Sequence, residues 1–148
     1  LRVPFSPKVE VKTGVQTTLT HISRYSTMRS NMLQTVLNDL NGTSADIEAS
    51  AIISSDGLMM AALLPNTVDE DRVGAMSAAM LSLGDRTARE LARGSLDQVL
   101  IKGEKGYVLM VQAGADAVLT VMAKPNAKLG LVFLDVRRAA DAIGRILG

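Results

Sequence analysis

The segment that most restricts the fold of this chain is a run of twelve residues without a charge, from Val73 to Gly84. It lies inside a predicted helix over residues 68–93, which has acidic residues in its first turn and arginines near its end, as the helix dipole favours. A helix that is apolar or small on every side is buried on every side. Since one small sheet cannot cover it completely, we expect part of its surface to meet another chain.

This second helix has three faces on a wheel of about 100° per residue. The first is predicted to pack on the sheet as an ordinary core stripe and comprises Val73, Met76, Met80, Leu83, Thr87 and Leu91. The second, roughly opposite, has 3,4,3,4 spacing and comprises Gly74, Ser77, Leu81, Gly84 and Ala88. The third comprises Ala75, Ala78, Ala79 and Ser82.

A homodimer interface is predicted on this helix and on the strand that follows it. Small side chains permit two backbones to approach closely, and pairing of the strand with its symmetry mate would remove an exposed sheet edge. The predicted interface residues are Ala75, Ala78, Ala79, Ser82, Leu96, Gln98 and Leu100. The alternative is a helix of small residues exposed to water, where Ala and Ser are tolerated.

The sequence patterns before and after the second helix predict an α/β (α+β) fold with the order αββαβββα. Alternating residues over 47–53 and an apolar run over 58–64 flank Asp56-Gly57, a hairpin signal because both residues tolerate positive φ. Short turns separate three further strands, at residues 96–102, 107–113 and 117–124. We expect a five-stranded antiparallel sheet with the first and third helices on one face and the second helix on the other.

Residues that favour helix ends mark where the three helices begin and end. N-cap candidates for the first helix are Ser30 and Asn31, and its end is predicted at Asn41-Gly42. Thr67 and Glu70 fit a capping box that begins the second helix, and Gly94 is a candidate C′ residue. The third helix is predicted to begin near Asn126.

The composition excludes several classes of site. The chain has 148 residues, no Cys and one His, which excludes structural disulfides, thiolate zinc sites, iron–sulfur clusters and a multi-histidine metal site within one chain. Sixteen basic residues against fifteen acidic residues give a net charge of +1, so there is no general case for nucleic-acid binding. The longest uncharged runs have twelve residues, too few for a transmembrane helix.

Residues 1–30 differ from the body of the chain. They are rich in Ser and Thr and hold five basic residues against one acidic residue, a net +4, whereas the remaining 118 residues carry a net −3. A mobile tail is favoured over an appended element. A transit peptide has a similar composition, but the prolines argue against one. Met28 is a sensible native start, because the first predicted helix follows it.

Groups that carry catalysis are sparse. Phosphate-binding glycine motifs are absent, and residues 103–106 join two strands, so a hairpin turn explains their glycines. Helix capping explains the acidic residues 69–71 without a cation, and His21 is interpreted as an incidental polar residue. We therefore predict no enzyme, no cofactor and no metal site.

Four arginines on the second helix are candidate partner-binding residues: Arg72, Arg86, Arg89 and Arg93. They could contact an acidic partner or stabilise phosphate charge. The alternative, favoured for each residue alone, is that they complement the helix dipole and are solvated.

Taken in order, four stretches resemble the roadblock/dynein light chain family. They are residues 51–58 (AIISSDGL), the small-residue helix over 73–83, residues 118–121 (VLTV) and residues 129–140 (LGLVFLDVRRAA). The resemblance implies a roadblock-like domain over residues 31–148. It also implies dimerisation through the second helix and the middle strand, which joins the two sheets. Members are scaffolds and regulators of small Ras-like GTPases, with no catalytic residue set to transfer.

The leading hypothesis is a non-enzymatic, cytoplasmic homodimer that binds a small Ras-like GTPase and modulates its nucleotide cycle. The first alternative is a purely structural adaptor that joins other proteins. The second alternative is a sensor domain for a small molecule, although the sequence shows no convergent polar pocket.

Overall fold

A computed structural model describes residues 27–148. Its elements are α1 (27–43), β1 (Ile47–Ser54), β2 (Met59–Leu63), α2 (Glu70–Glu90), β3 (Gln98–Gly103), β4 (Gly106–Gln112), β5 (Ala117–Ala123) and α3 (Leu129–Leu147). The predicted order αββαβββα is confirmed. Residues 1–26, which form most of the basic segment interpreted as a mobile tail and include His21, lie outside the described residues.

The five strands form one antiparallel sheet in the order β2-β1-β5-β4-β3. The central pair, β1 and β5, is almost completely buried, as expected for nearly continuous apolar strands covered on both faces. Among the strands of residues 27–148, β2 and β3 are the two edges. The β1–β2 hairpin turns at Gly57, whose φ of +90° explains why Asp-Gly stands there.

Side chains of α1 and α3 share one core on the first face of the sheet. Leu37 and Ile143 are completely buried in a cluster that also contains Leu119 and Val121 of β5. The groove between the helices closes where Arg29 of α1 donates a 3.0 Å hydrogen bond to the carbonyl of Leu147. The predicted placement of these two helices on the same face is confirmed.

Helix α2 crosses the opposite face and contacts all five strands. Thr120, which alternates with Leu119 and Val121 on β5, donates a 2.8 Å hydrogen bond to the hydroxyl of Ser77. Both residues are buried, and this bond gives each hydroxyl a hydrogen-bond partner away from water. This pair also places α2 on the face away from α1 and α3.

The predicted ends of α1 are wrong at both termini. Residue 27 is already helical, so neither Ser30 nor Asn31 is its N-cap. At the other end the helix continues through Thr43, whose hydroxyl donates to the carbonyl of Asp39 at 2.8 Å. Asn41 serves a tertiary contact instead, since its side chain accepts a 2.7 Å hydrogen bond from Ser50 of β1.

The caps of α2 also differ from the predicted ones. Asp69 is the N-cap and accepts from the amides of Asp71 and Arg72 at 3.0 and 3.4 Å, in place of the predicted Thr67 box. The C′ residue is Ala92, with φ of +59°, rather than Gly94. Its amide bonds to the carbonyl of Arg89, and that of Arg93 to Ala88, which completes a Schellman motif two residues earlier than predicted.

The third helix begins at Leu129 rather than near Asn126. The backbone amide of its N-cap, Lys128, donates a 2.9 Å hydrogen bond to the carboxylate of Asp46 in the α1–β1 turn. A contact between residues far apart in the chain therefore sets this boundary. Within residues 27–148, none of the helices has the length and apolar character needed to cross a bilayer.

Candidate interaction surface

Three large apolar side chains on α2 and at its C-cap face away from the sheet. Met76, Leu83 and Leu91 are 56%, 60% and 64% exposed, so the prediction that they form a core stripe is wrong. The sheet is instead contacted by the small residues, of which Gly74 and Ser77 are buried. A Cβ at Gly74 would overlap the carbonyl oxygen of Gly57, so the helix backbone lies against the β1–β2 turn.

The exposed apolar stripe continues toward the edge strand β3. Val99 lies 3.0 Å from the position that a Cβ of Gly84 would take, so the second half of α2 lies over this strand. Ile101 is two residues further along the same face and is 38% exposed. We call Met76, Met80, Leu83 and Ile101, together with the free edge of β3, the α2/β3 surface.

An apolar surface of this kind beside a free strand edge is what an interface between chains requires. Sequence reasoning missed Met76, Met80, Leu83 and Ile101 as interface candidates. The signal that could have found them is the 3,4,3,4 spacing of Gly, Ser and Ala, because a stripe of small residues allows close packing on a sheet as well as on a second helix.

The predicted interface residues on α2 are exposed or half-buried. Ala75, Ala79 and Ser82 are exposed, and Ala78 is half-buried. Ala78 and Ser82 line a cleft of about 230 Å³ beside the turns at the end of the sheet. This side of the helix therefore faces away from the centre of β3.

The other predicted interface residues belong to β3 or lie just before it. Leu96 and Gln98 are half-buried, whereas Leu100 is 41% exposed. Leu100 pairs with the buried Leu109 and so lies on the sheet face that carries α3, opposite to Ile101. One exposed apolar side chain thus stands on each face of the free edge.

The four candidate arginines are exposed and mostly paired with acids of their own helix. Arg86 bonds to Glu90 at 3.0 Å, Arg89 to Asp85 at 2.8 Å, and Arg72 lies 3.9 Å from Asp69. Exposed pairs of this kind contribute about 0–1 kcal/mol, so a partner could exchange them at small cost. The Nε of the fourth arginine donates to the carbonyl of Leu91 at 3.2 Å.

Asp85 ties the end of α2 to the segment that leads into β3. One carboxylate oxygen accepts the backbone amide of Leu96 at 3.1 Å, and the other accepts from Arg89. The same segment is held on α3, because Arg137 donates two hydrogen bonds of 3.0 and 3.1 Å to Asp97. These contacts set the position of the free edge relative to both helices.

The backbone amide of Leu96, followed by Arg89, lowers the pKa of Asp85 from its ordinary value of 3.8. Because this pKa is lower in the folded chain than in the unfolded chain, the stabilisation is present above the unfolded value and is lost as pH falls through the folded value. We expect the difference in unfolding free energy between the unmodified chain and Asp85→Asn to shrink as the pH falls below about 5. Urea unfolding across this range measures it, and a constant difference would contradict the assignment.

Metal-binding groups are not assembled in the part of the chain that the structure describes. Within residues 27–148, no three His, Asp or Glu side chains are grouped so that they could hold an ion. Asp69, Glu70 and Asp71 lie at the start of α2, where Asp69 is engaged as the N-cap.

Comparison with known proteins gives matches over most of the chain. The sequence profile of the Roadblock/LC7 domain matches residues 32–123. Uncharacterized protein MJ0310 of Methanocaldococcus jannaschii is 42% identical over 112 residues, which cover 76% of this chain and 96% of that protein. Uncharacterized protein MJ1340 of the same organism is 41% identical with the same coverage.

Solved structures share the fold at lower identity. The gliding protein MglB of Thermus thermophilus superposes with a TM-score of 0.72 at 21% identity, over 80% of this chain and 90% of that one. A Roadblock/LC7 domain from Streptomyces avermitilis has a TM-score of 0.70 at 19% identity, over 77% and 96%. The profile match, the relatives above 40% identity and the shared fold agree, and the chain belongs to the Roadblock/LC7 domain family.

Proposed function

We propose that this chain is a non-enzymatic, cytoplasmic homodimer that binds a small Ras-like GTPase and modulates its nucleotide cycle. The observation that carries the proposal is the α2/β3 surface of a chain that belongs to the Roadblock/LC7 family. Its apolar side chains and its free strand edge supply a dimer contact. The resemblance to regulators of small GTPases is the ground for proposing a small GTPase as the partner.

The proposed dimer buries the α2/β3 surface around a two-fold axis. Antiparallel pairing of β3 with its symmetry mate would satisfy the outward backbone groups of both edges and join the two sheets. Met76, Met80 and Leu83 of each chain would then pack near the axis, with Leu96, Gln98 and Leu100 beside the paired strands. The face formed by Ala75, Ala78, Ala79 and Ser82 is the alternative contact.

The proposed regulator acts by positioning the loops of the GTPase, with the arginines of α2 as contacts. Arg86 and Arg89 lie in the last turns of α2 and Arg93 follows just after its end, and surface ion pairs hold the first two only weakly. Their guanidinium groups can exchange intrahelical carboxylates for acidic or phosphate groups of the partner.

A triple substitution tests the role of these arginines. Exchange of Arg86, Arg89 and Arg93 for Ala is expected to lower stimulation of GTP hydrolysis by at least about tenfold, because charged contacts to the partner are lost. The GTPase encoded nearest to this chain is the assay partner, and sedimentation checks that the dimer persists.

The matched control removes three charges from another surface. Lys124, Arg138 and Arg145 are all exposed, and the two arginines lie on α3. Their triple exchange for Ala should leave stimulation within about twofold of that of the unmodified protein, because the change in net charge is the same and only the place differs. Equal losses in both triple variants would contradict a specific role for the α2 arginines.

The second candidate is a structural adaptor, favoured by the intrahelical pairing of Arg86 and Arg89. It predicts that the GTPase binds with its turnover unchanged across a full concentration range of this chain, which would also contradict the regulator.

A further inference from the structure

The two edges of the sheet are protected to different degrees. β2 has five residues, and its register with β1 shifts between Ile52 and Ile53, where the strand carries a bulge. β3 has six residues and pairs with β4 without interruption from Gln98 to Gly103. Short strands and bulges hinder the addition of another strand, so β2 is the poorer template for pairing.

A side chain of α1 also donates a hydrogen bond to a backbone carbonyl of β2. The Nε2 of Gln34 donates a 3.1 Å hydrogen bond to the carbonyl oxygen of Ala62 in a partly buried position. The same nitrogen lies 3.4 Å from the Oδ1 of Asn38, one turn further along the helix. An amide nitrogen has two hydrogens, so it can serve both oxygens.

The position of Gln34 is fixed by the core beneath it. Leu33 and Leu37 of α1 are buried in the cluster shared with α3, which fixes the turn of helix that bears Gln34. Ala62 pairs with Ala51 of β1, yet its carbonyl meets a helix side chain, so this carbonyl points away from the sheet. On a strand of five residues only a few carbonyls point outward, and Gln34 already donates a hydrogen bond to one of them.

We propose that Gln34 closes the β2 edge and thereby confines assembly of this protein to the β3 edge. The direction of assembly rests on the proposed homodimer. A dimer joined through β3 still has one β2 edge at each end of its sheet, and two open edges on each chain would allow end-to-end addition without closure. Gln34 is thus a specificity-determining residue that stops assembly at two chains.

The test is Gln34→Ala in the full chain, with its mass followed by sedimentation velocity over a hundredfold range of concentration. The unmodified protein should keep one mass throughout, whereas the variant should grow with concentration to at least twice that mass. Adding Leu63→Lys, which places a charge on β2, should restore the original mass. An unchanged mass of Gln34→Ala at every concentration would overturn the proposal.

Two further variants separate edge pairing from loss of fold. Gln34→Glu also loses the donor but introduces a negative charge at the edge, so it should not grow, and growth equal to that of Gln34→Ala would contradict the proposal. Thr35→Ala removes a hydroxyl that bonds within α1, to Asn31, and should behave as the unmodified protein. If the unmodified protein has the mass of one chain, the proposed homodimer fails, and growth of Gln34→Ala to two chains would still support closure of β2.

Discussion

Leu83→Asp is expected to convert the protein from two chains to one without unfolding it. The side chain is 60% exposed in a single chain, so the carboxylate remains in water there. In the proposed dimer it would be buried without a partner, at a cost of several kcal/mol, and the two-fold axis applies this cost twice. We expect the dimer to dissociate at least about a thousandfold more readily, as measured by sedimentation equilibrium.

Ser82→Asp is the matched control for this experiment. Ser82 lies on the same helix and is exposed, but it belongs to the face of small residues and lines the cleft on the side of the helix away from Met76 and Leu83. If the α2/β3 surface is the interface, this variant should retain the mass of two chains. Dissociation by Ser82→Asp with Leu83→Asp unaffected would place the interface on the small-residue face, and a single-chain mass for the unmodified protein would contradict both.

Gly74→Ala is expected to lower the unfolding free energy by about 3 kcal/mol, the largest effect on stability that we predict. The new Cβ would overlap the carbonyl oxygen of Gly57 and lie 3.7 Å from the Cγ2 of Ile53. Because the obstacle is backbone rather than the end of a flexible side chain, α2 must move away from the β1–β2 turn. Equilibrium unfolding in urea measures the loss.

Gly130→Ala provides the control for helix propensity. Gly130 lies in the first turn of α3, and a Cβ added there would meet no atom of another element within 4 Å. Ala is favoured over Gly in helices, so we expect a gain of up to about 1 kcal/mol. A loss at Gly74 that is no larger than the change at Gly130 would show that the contact with Gly57 imposes no constraint on packing.

Turns and strands could be predicted because their causes are local. Asp56-Gly57 supplies the positive φ that its hairpin needs, and the apolar runs of β4 and β5 require cover on both faces wherever they lie. The helix ends were less predictable, because several residues near each end are chemically suited to cap it. Asp69 and Thr67 are both good N-caps, and the path of the chain after β2 selects Asp69.

The orientation of α2 could not be read from its sequence. A helical wheel gives the angles between stripes, but it does not say which stripe meets the sheet. Burial of the largest side chains favoured the stripe with Met76 and Leu83, whereas the folded chain places Gly74 and Ser77 there. The folded chain instead brings the backbone of α2 close to Gly57, pairs the hydroxyls of Ser77 and Thr120, and leaves the two large side chains on the surface.

By itself, the sequence determined the order of the elements, the antiparallel hairpins and the presence of a helix without a charged face. These follow from periodicity, turn chemistry and charge, which depend on neighbours along the chain. Only the tertiary structure decided which stripe of α2 is exposed, that Asp46 and Asp85 fix the start of α3 and the approach to β3, and that Gln34 lies on β2. Those features depend on contacts between residues far apart in the chain. Until those contacts form, the uncharged run from Val73 to Gly84 is compatible with more than one way of packing against the sheet.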